Sequence, residues 1–138
     1  MPDLWRFGVS LDKNLLDKFD SLIHKRSYTN RSEAIRDMIR KELIKEEWDS
    51  DKEIAGAITL IYDHHKRELM NKIVDIQHDY GEIIISTQHV HLDHNNCLEI
   101  IAVKGSPKKA EELMDKLGAV KGVKHATIGM STTGKSIK

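Results

Sequence analysis

The sequence predicts an α+β chain in two parts: a strand and two helices (βαα), then a βαββαβ unit. Three observations predict it. Residues 4–10 alternate apolar and polar. The next stretch, to residue 48, repeats apolar residues at helical spacing around a polar break. From Glu53 onward, strand-like runs and helix-like runs follow one another between turn residues.

In the first strand, Leu4 to Ser10, the residues Trp5, Phe7 and Val9 share one face, and Arg6, Gly8 and Ser10 share the other. One strand alone cannot satisfy its backbone groups, and no partner strand follows nearby. The first helix lies in LDKNLLDKFDSLIHKRSY, with Leu15, Leu16, Phe19, Leu22 and Ile23 on its apolar stripe. KRSYTN breaks that pattern. Asn30, with Glu33 three residues on, then caps a second helix whose stripe is Ala34, Ile35, Met38, Ile39 and Leu43.

The polar stretch 49–52 reads as a linker or helix extension. Ile54 to Ile61 is an apolar strand, and Tyr62 to Gln77 a helix with Leu69, Met70, Ile73, Val74 and Ile76 inward. Gly81 opens a strand from Glu82 to Leu92. Asp93 to Asn96 is a polar turn, and Cys97 to Val103 returns as the hairpin partner. Gly105-Ser106-Pro107 starts a helix to about Leu117, stopped by Gly118. Val123 to Met130 is the last strand, and residues 133–138 are expected to fray. The order is the split-βαβ, ferredoxin-like arrangement. The domains are therefore expected at 1–48 and 53–132, joined by 49–52.

The 138 residues carry 22 Lys plus Arg and 22 Asp plus Glu, so the net charge is zero. That excludes a uniformly basic coat but not a local patch. A single Cys excludes an internal disulfide framework and points to a reducing, cytoplasmic compartment. The longest nearly apolar run, Ile54 to Tyr62, is too short to span a membrane. The opening MPDLWRFGVSLDK lacks the pattern of a secretory signal.

Six of the eight His fall between His64 and His94, with Cys97 three residues later. His89 and His91, two apart on a strand, project from one face. Cys97 lies on the returning strand, and the array reads His78-x10-His89-x-His91-x5-Cys97. Three imidazoles and a thiolate suit zinc, nickel, copper or cobalt, and spacing alone does not choose among them. The opposing reading makes the histidines exposed polar residues and Cys97 a small core filler. Glu99 and Tyr62 are expected to orient ligands rather than touch the ion. His64 and His65 are either surface residues or a weaker metal site, and His94 a solvated turn residue.

Lys25 to Lys41 holds six basic residues against Glu33 and Asp37, a balance of +4. Asn30, Arg31 and Ser32 form a helix start, where free amides bind phosphate. A helix-turn-helix would place the second helix in the major groove. A ribbon-helix-helix dimer would instead pair two N-terminal strands and insert that ribbon. The ribbon also supplies the missing strand partner and makes Arg6 and Ser10 base readers. The opposing reading is a solvated helix with internal charge pairs.

RFGVSLDKNLLDKFD and NRSEAIRDMIR resemble ribbon-helix-helix repressors. HKRELMNKIVDIQH and STQHVHLDHNNCLEIIAVKG closely resemble the nickel-responsive regulators of bacteria and archaea, the NikR family. The resemblance spans nearly the whole chain. It implies that His89, His91 and Cys97 bind nickel(II), one ion per subunit, with His78 of a neighbouring subunit in a planar site. It implies an ACT-like regulatory domain forming a tetramer core, a dimer of dimers, and double-stranded DNA bound at a palindromic operator. Glu33 and Asp37 would hold a monovalent cation such as potassium, against a reading as partners of Arg36, Arg40 or Lys41. DNA contacts would fall to Arg6, Gly8, Ser10, Asn30, Arg31, Ser32 and Arg36. At Gly8 the family usually has a base-touching side chain, so this step differs.

The implied function is a nickel-responsive repressor of nickel uptake genes, not an enzyme. The alternatives are a regulator sensing another metal or a small organic ligand, a metal store, or a metal-dependent hydrolase with Glu99 as base. Gly129 to Ser136 matches the phosphate-loop pattern G-x4-G-K-S. Only Ile137 and Lys138 follow, too few for the helix whose amides hold the phosphates, so nucleotide binding is rejected.

Overall fold

The computed structural model describes residues 3–138. The elements are α1 (Lys13–Lys25), α2 (Arg31–Trp48), β1 (Ile54–Tyr62), α3 (Arg67–Asp79), β2 (Ile84–His91), β3 (Cys97–Gly105), α4 (Pro107–Gly118) and β4 (Val123–Met130). Two compact units divide within α2, at Met1–Ile39 and Arg40–Lys138.

In the first unit, Asp12 caps α1 by accepting the Asn14 amide. The helix ends where Ser27 takes a left-handed φ of 65°, and the Tyr28 amide returns to the Ile23 carbonyl. Asn30 Oδ1 then accepts the Glu33 amide at 2.9 Å, the expected cap of α2. Glu33 does not reach back to Asn30. Its carboxylate accepts the Thr29 hydroxyl instead, at 3.1 Å. Ile23 and Ala34 are buried, while Leu15, Leu22, Met38 and Ile39 remain exposed. Residues 3–10 are not strand and have no ladder partner among the described residues. Trp5 is 88% exposed and Phe7 72%. The expected strand thus keeps its alternation but lacks a ladder, because the described residues of the unit hold no second strand to supply one.

The second unit is a four-stranded antiparallel sheet in the order β2-β3-β1-β4. Ile54, Ile58, Leu60 and Tyr62 of β1 and Cys97, Ile101 and Val103 of β3 form one core with Leu69 and Ile73 of α3 and Ala110, Leu113 and Leu117 of α4. Ser106 caps α4 and Pro107 opens it, as its sequence requires.

Two expectations change. Tyr62 does not open α3; it ends β1 as a buried core residue, and the helix starts at Arg67 after a turn held by Asp63. Val74 is 60% exposed rather than inward, because Leu69 and Ile73 already fill the face of α3 toward the core. The segment just before the expected frayed tail is tied down. The Ser131 amide extends the ladder to Ala55, and Thr132 donates to the buried Glu47 at 2.8 Å. Trp48 Nε1 donates to the Ser131 carbonyl at 2.8 Å, and Arg40 Nε to the Lys138 main-chain oxygen at 2.7 Å. No helix among the described residues is long and apolar enough to cross a membrane.

Candidate metal centre

The β2–β3 hairpin sets the geometry. β2 is an edge strand, and across it His91 stands opposite Cys97 and His89 opposite Glu99. One strand further in, Tyr62 stands opposite Cys97. Directly opposed residues of an antiparallel pair share a face, so His89, His91, Cys97, Glu99 and Tyr62 all point to one side. That side carries the core, which explains why Cys97, Glu99 and Tyr62 are buried.

Glu99 is the hub. It is 1% exposed, and such a carboxylate is costly unless hydrogen-bonded. Tyr62 Oη donates to Oε1 at 2.5 Å, and Gln77 Nε2 donates to Oε2. His89 Nε2 stands 3.7 Å from Oε1. Burial, then the bond to Glu99, pushes the Tyr62 phenol well up, so it remains a donor. Burial, then the Glu99 charge, pushes the Cys97 thiol up as well. Each Glu99 oxygen thus accepts a hydrogen bond.

His78, in the last turn of α3, lines an open pocket of about 440 Å³ with His89, Gln77, Glu99 and Tyr62. The four expected ligands do not converge within this chain. Among the described residues, the one group of three or more metal-binding side chains with ligand atoms within 4.8 Å of one another is Asp63, His64 and His65. The His64 ring stacks on His91 at 4.4 Å, and the His94 ring lies 4.8 Å from His65. His94 is therefore not isolated in its turn. Gln77 was missed by sequence reasoning, since an amide at a helix end carries no signal of its own. Asp63 was also missed, although its place before His-His was a usable sign.

In the first unit, Arg6, Gly8 and Ser10 lie in the exposed segment before α1. Asn30 is occupied as the α2 cap. Arg31 makes a two-pronged pair with Asp20 at 2.9 and 2.8 Å, which lowers the Asp20 carboxyl. Ser32 and Arg36 are exposed, and Arg36 Nε donates to the Ser32 carbonyl at 3.4 Å. Asp37 accepts the Tyr28 hydroxyl and Glu33 that of Thr29.

A family profile, the NikR C terminal nickel binding domain, matches residues 55–131. The chain belongs to the nickel-responsive regulator family. A second profile, the copG family of ribbon-helix-helix proteins, matches residues 6–46. Curated relatives bear the name "Putative nickel-responsive regulator", three of them as follows. The Syntrophus aciditrophicus protein is 61% identical over 98% of each chain, and the Desulfovibrio desulfuricans protein 56% over 99% of each. The Chlorobium limicola protein is 55% identical over 97% of this chain and all of that one. An uncharacterized Thermotoga maritima protein of known structure shares the fold, with a TM-score of 0.51 at 15% identity over 56% of this chain and 95% of that one. The family is one of DNA-binding transcriptional regulators that respond to nickel, not of enzymes.

Proposed function

We propose that this chain is a cytoplasmic repressor of nickel uptake genes, with nickel at the second unit promoting operator binding at the first. The observation that carries the reading is the His89–His91 pair facing Cys97 and Glu99 across one hairpin. The donor set fits the ion: two imidazoles, a thiol and, in this reading, His78 of a second subunit suit a borderline divalent metal. When bound, the nickel ion supplies a cross-link between subunits, one per chain. Cys97 gives up its proton to become a ligand. Glu99, held by Tyr62 and Gln77, fixes the His89 ring, and Gln77 ties the end of α3, beside His78, to that same carboxylate.

The exposed alternating segment supports the DNA reading. Two copies would pair residues 4–10 into a ribbon, burying Trp5, Phe7 and Val9 and turning Arg6, Gly8 and Ser10 to the bases. Arg31, Ser32, Arg36 and the Asn30 helix start would take phosphates. Segment 1–48 then acts as the DNA-binding domain, 49–52 as linker, and 53–132 as the ACT-like core of a dimer of dimers on a palindromic operator. Glu33 and Asp37, one turn apart, would hold potassium or a similar ion. His64 and His65 belong to a separate, weaker metal site.

A gel-shift titration tests the reading. Operator binding should be tight with nickel, lost with chelator, and steeply weakened by salt. Equal affinity in nickel and chelator would sink it. A thiolate-to-nickel absorption band should vanish in His78→Ala, and its persistence would remove His78 from the site. The pocket beside His78, lined in large part by Met70, Ile73, Val74 and Ile84, favours one alternative, a small organic effector. In that case Cys97→Ala leaves regulation intact.

A further inference from the structure

The end of α2 is poorly suited to hold itself wound. Its last turn carries Glu46 and Glu47, two carboxylates at the carbonyl end of a helix, where negative charge is already concentrated. Yet Glu47 and Trp48 are buried. The groups that hold them lie more than eighty residues away in sequence. Trp48 Nε1 donates to the Ser131 carbonyl at 2.8 Å, and Thr132 Oγ1 donates to Glu47 Oε1 at 2.8 Å. The Ser131 amide donates to the Ala55 carbonyl at 3.0 Å, at the start of β1. Ser131 therefore accepts from the helix and donates to the strand.

The place of the indole is prepared in the sheet. A Cβ at Gly56 would stand 3.1 Å from the Trp48 ring, so the missing side chain of Gly56 makes room for it. Two further contacts lie outside this pair. Arg40 Nε donates to the Lys138 main-chain oxygen at 2.7 Å, and Lys135 Nζ stands 3.6 Å from Glu53 Oε1. The Lys135 pair is exposed and adds little. The attachment falls mainly to Trp48 and Glu47.

β1 runs from Ile54, beside this attachment, to Tyr62, whose hydroxyl donates to Glu99 behind His89. α2 starts at Arg31 in the first unit and ends at Trp48 in the second. One strand and one helix thus meet where Ser131 and Thr132 join them. Stiff elements of this kind carry coupling between distant sites while they stay wound and paired.

We propose that Ser131 and Thr132 form a strap that keeps the last turn of α2 wound against the start of β1, and that the nickel response of operator binding depends on it. This rests on the reading that nickel at the second unit promotes operator binding at the first. With the strap released, the last turn of α2 opens, the hairpin keeps its metal ligands, and the gain in operator affinity on adding nickel shrinks.

Two measurements on the full-length protein test it. Hydrogen exchange read by mass spectrometry reports on the strap itself. One hydrogen bond of this kind shifts the balance between closed and open forms by roughly fivefold. Trp48→Phe/Thr132→Val removes both side-chain donors and should speed exchange over residues 44–50 by at least about tenfold. Thr132→Ser keeps the hydroxyl and should exchange as wild type does. Gel shifts report on the consequence, with a duplex selected from random sequence by the nickel-loaded wild type. The nickel-induced gain in affinity should fall by at least about fivefold in the double variant, with the thiolate band and the nickel bound per chain unchanged. Should that variant not fold, Thr132→Val alone carries both measurements and should speed exchange by about fivefold. Unchanged exchange, or faster exchange with the full nickel gain, overturns the proposal. Loss of the band in the variant would place the effect at the metal and overturn it as well. A wild type that binds its selected duplex equally in nickel and in chelator overturns the reading beneath, whatever the exchange shows, and the proposal falls with it.

Discussion

Tyr62→Phe isolates the buried carboxylate hub. The substitution keeps the ring and its packing, since Tyr62 is fully buried, and removes one hydroxyl. Glu99 then loses the donor 2.5 Å from Oε1 and keeps only Gln77 on Oε2. A hydrogen bond to a buried charged group is worth about 1.5–3 kcal/mol. Urea unfolding of the metal-free protein, at fixed protein concentration because oligomerisation adds to stability, should show a loss of that size. The second effect falls on His89, whose Nε2 faces the same Oε1 at 3.7 Å. Partners behind a metal-ligating histidine typically carry about 10–100-fold in metal affinity. Nickel competition titrations should therefore weaken by that factor while the thiolate band keeps its position, because Cys97 remains. Unchanged stability would show that water replaces the lost donor. Unchanged stability together with unchanged affinity would refute the assignment of Glu99 as the group that holds His89.

Phe7→Asp should place charge on the exposed alternating segment and abolish operator binding, with nickel affinity unchanged in dialysis; retained binding would refute the ribbon. Gly56→Ala should destabilise by about 1–3 kcal/mol in urea melts, because its Cβ would stand 2.8 Å from the Gly129 carbonyl and 3.1 Å from Trp48. Nickel affinity should rise as pH rises. Cys97 is a thiol whose pKa burial has raised, so binding expels its proton, and each pH unit below that pKa should be worth about tenfold. Titrations across neutral pH that give a flat response would show that the thiolate is not a ligand.

The second unit was largely legible because its signals are local. Gly81, the Asp93–Asn96 turn and Ser106-Pro107 fix where elements stop, and alternation fixes which faces of β1 and β3 go inward. Tyr62 was misplaced because an apolar run cannot say where it stops without a turn residue, and the turn is made by Asp63 through its side chain. Trp48 and Glu47 read as the end of a surface helix, yet they fasten the tail through Ser131 and Thr132. Contacts between residues more than eighty positions apart leave no periodic trace. The pairing of His89 with Glu99 was implicit in the hairpin register. The bond from Gln77 was not, since it depends on how α3 packs over the sheet.

The two parts of the chain share one physical feature: each leaves a requirement open that its own residues cannot meet. Residues 3–10 have backbone donors and acceptors without a ladder, and their apolar face lies in water. The hairpin turns two imidazoles and a thiol to one face, and His78 lines a pocket with one of them, His89, without joining them in a cluster. In the proposed assembly another copy of the chain meets both requirements, and a second copy costs no new sequence. If both are met that way, the backbone pairing and the fourth ligand come from different contacts, since one lies in segment 4–10 and the other at the end of α3. Two distinct contacts per chain are the minimum for a dimer of dimers. The proposed assembly thus follows from the unmet groups themselves, and Phe7→Asp and His78→Ala should break it at separate places.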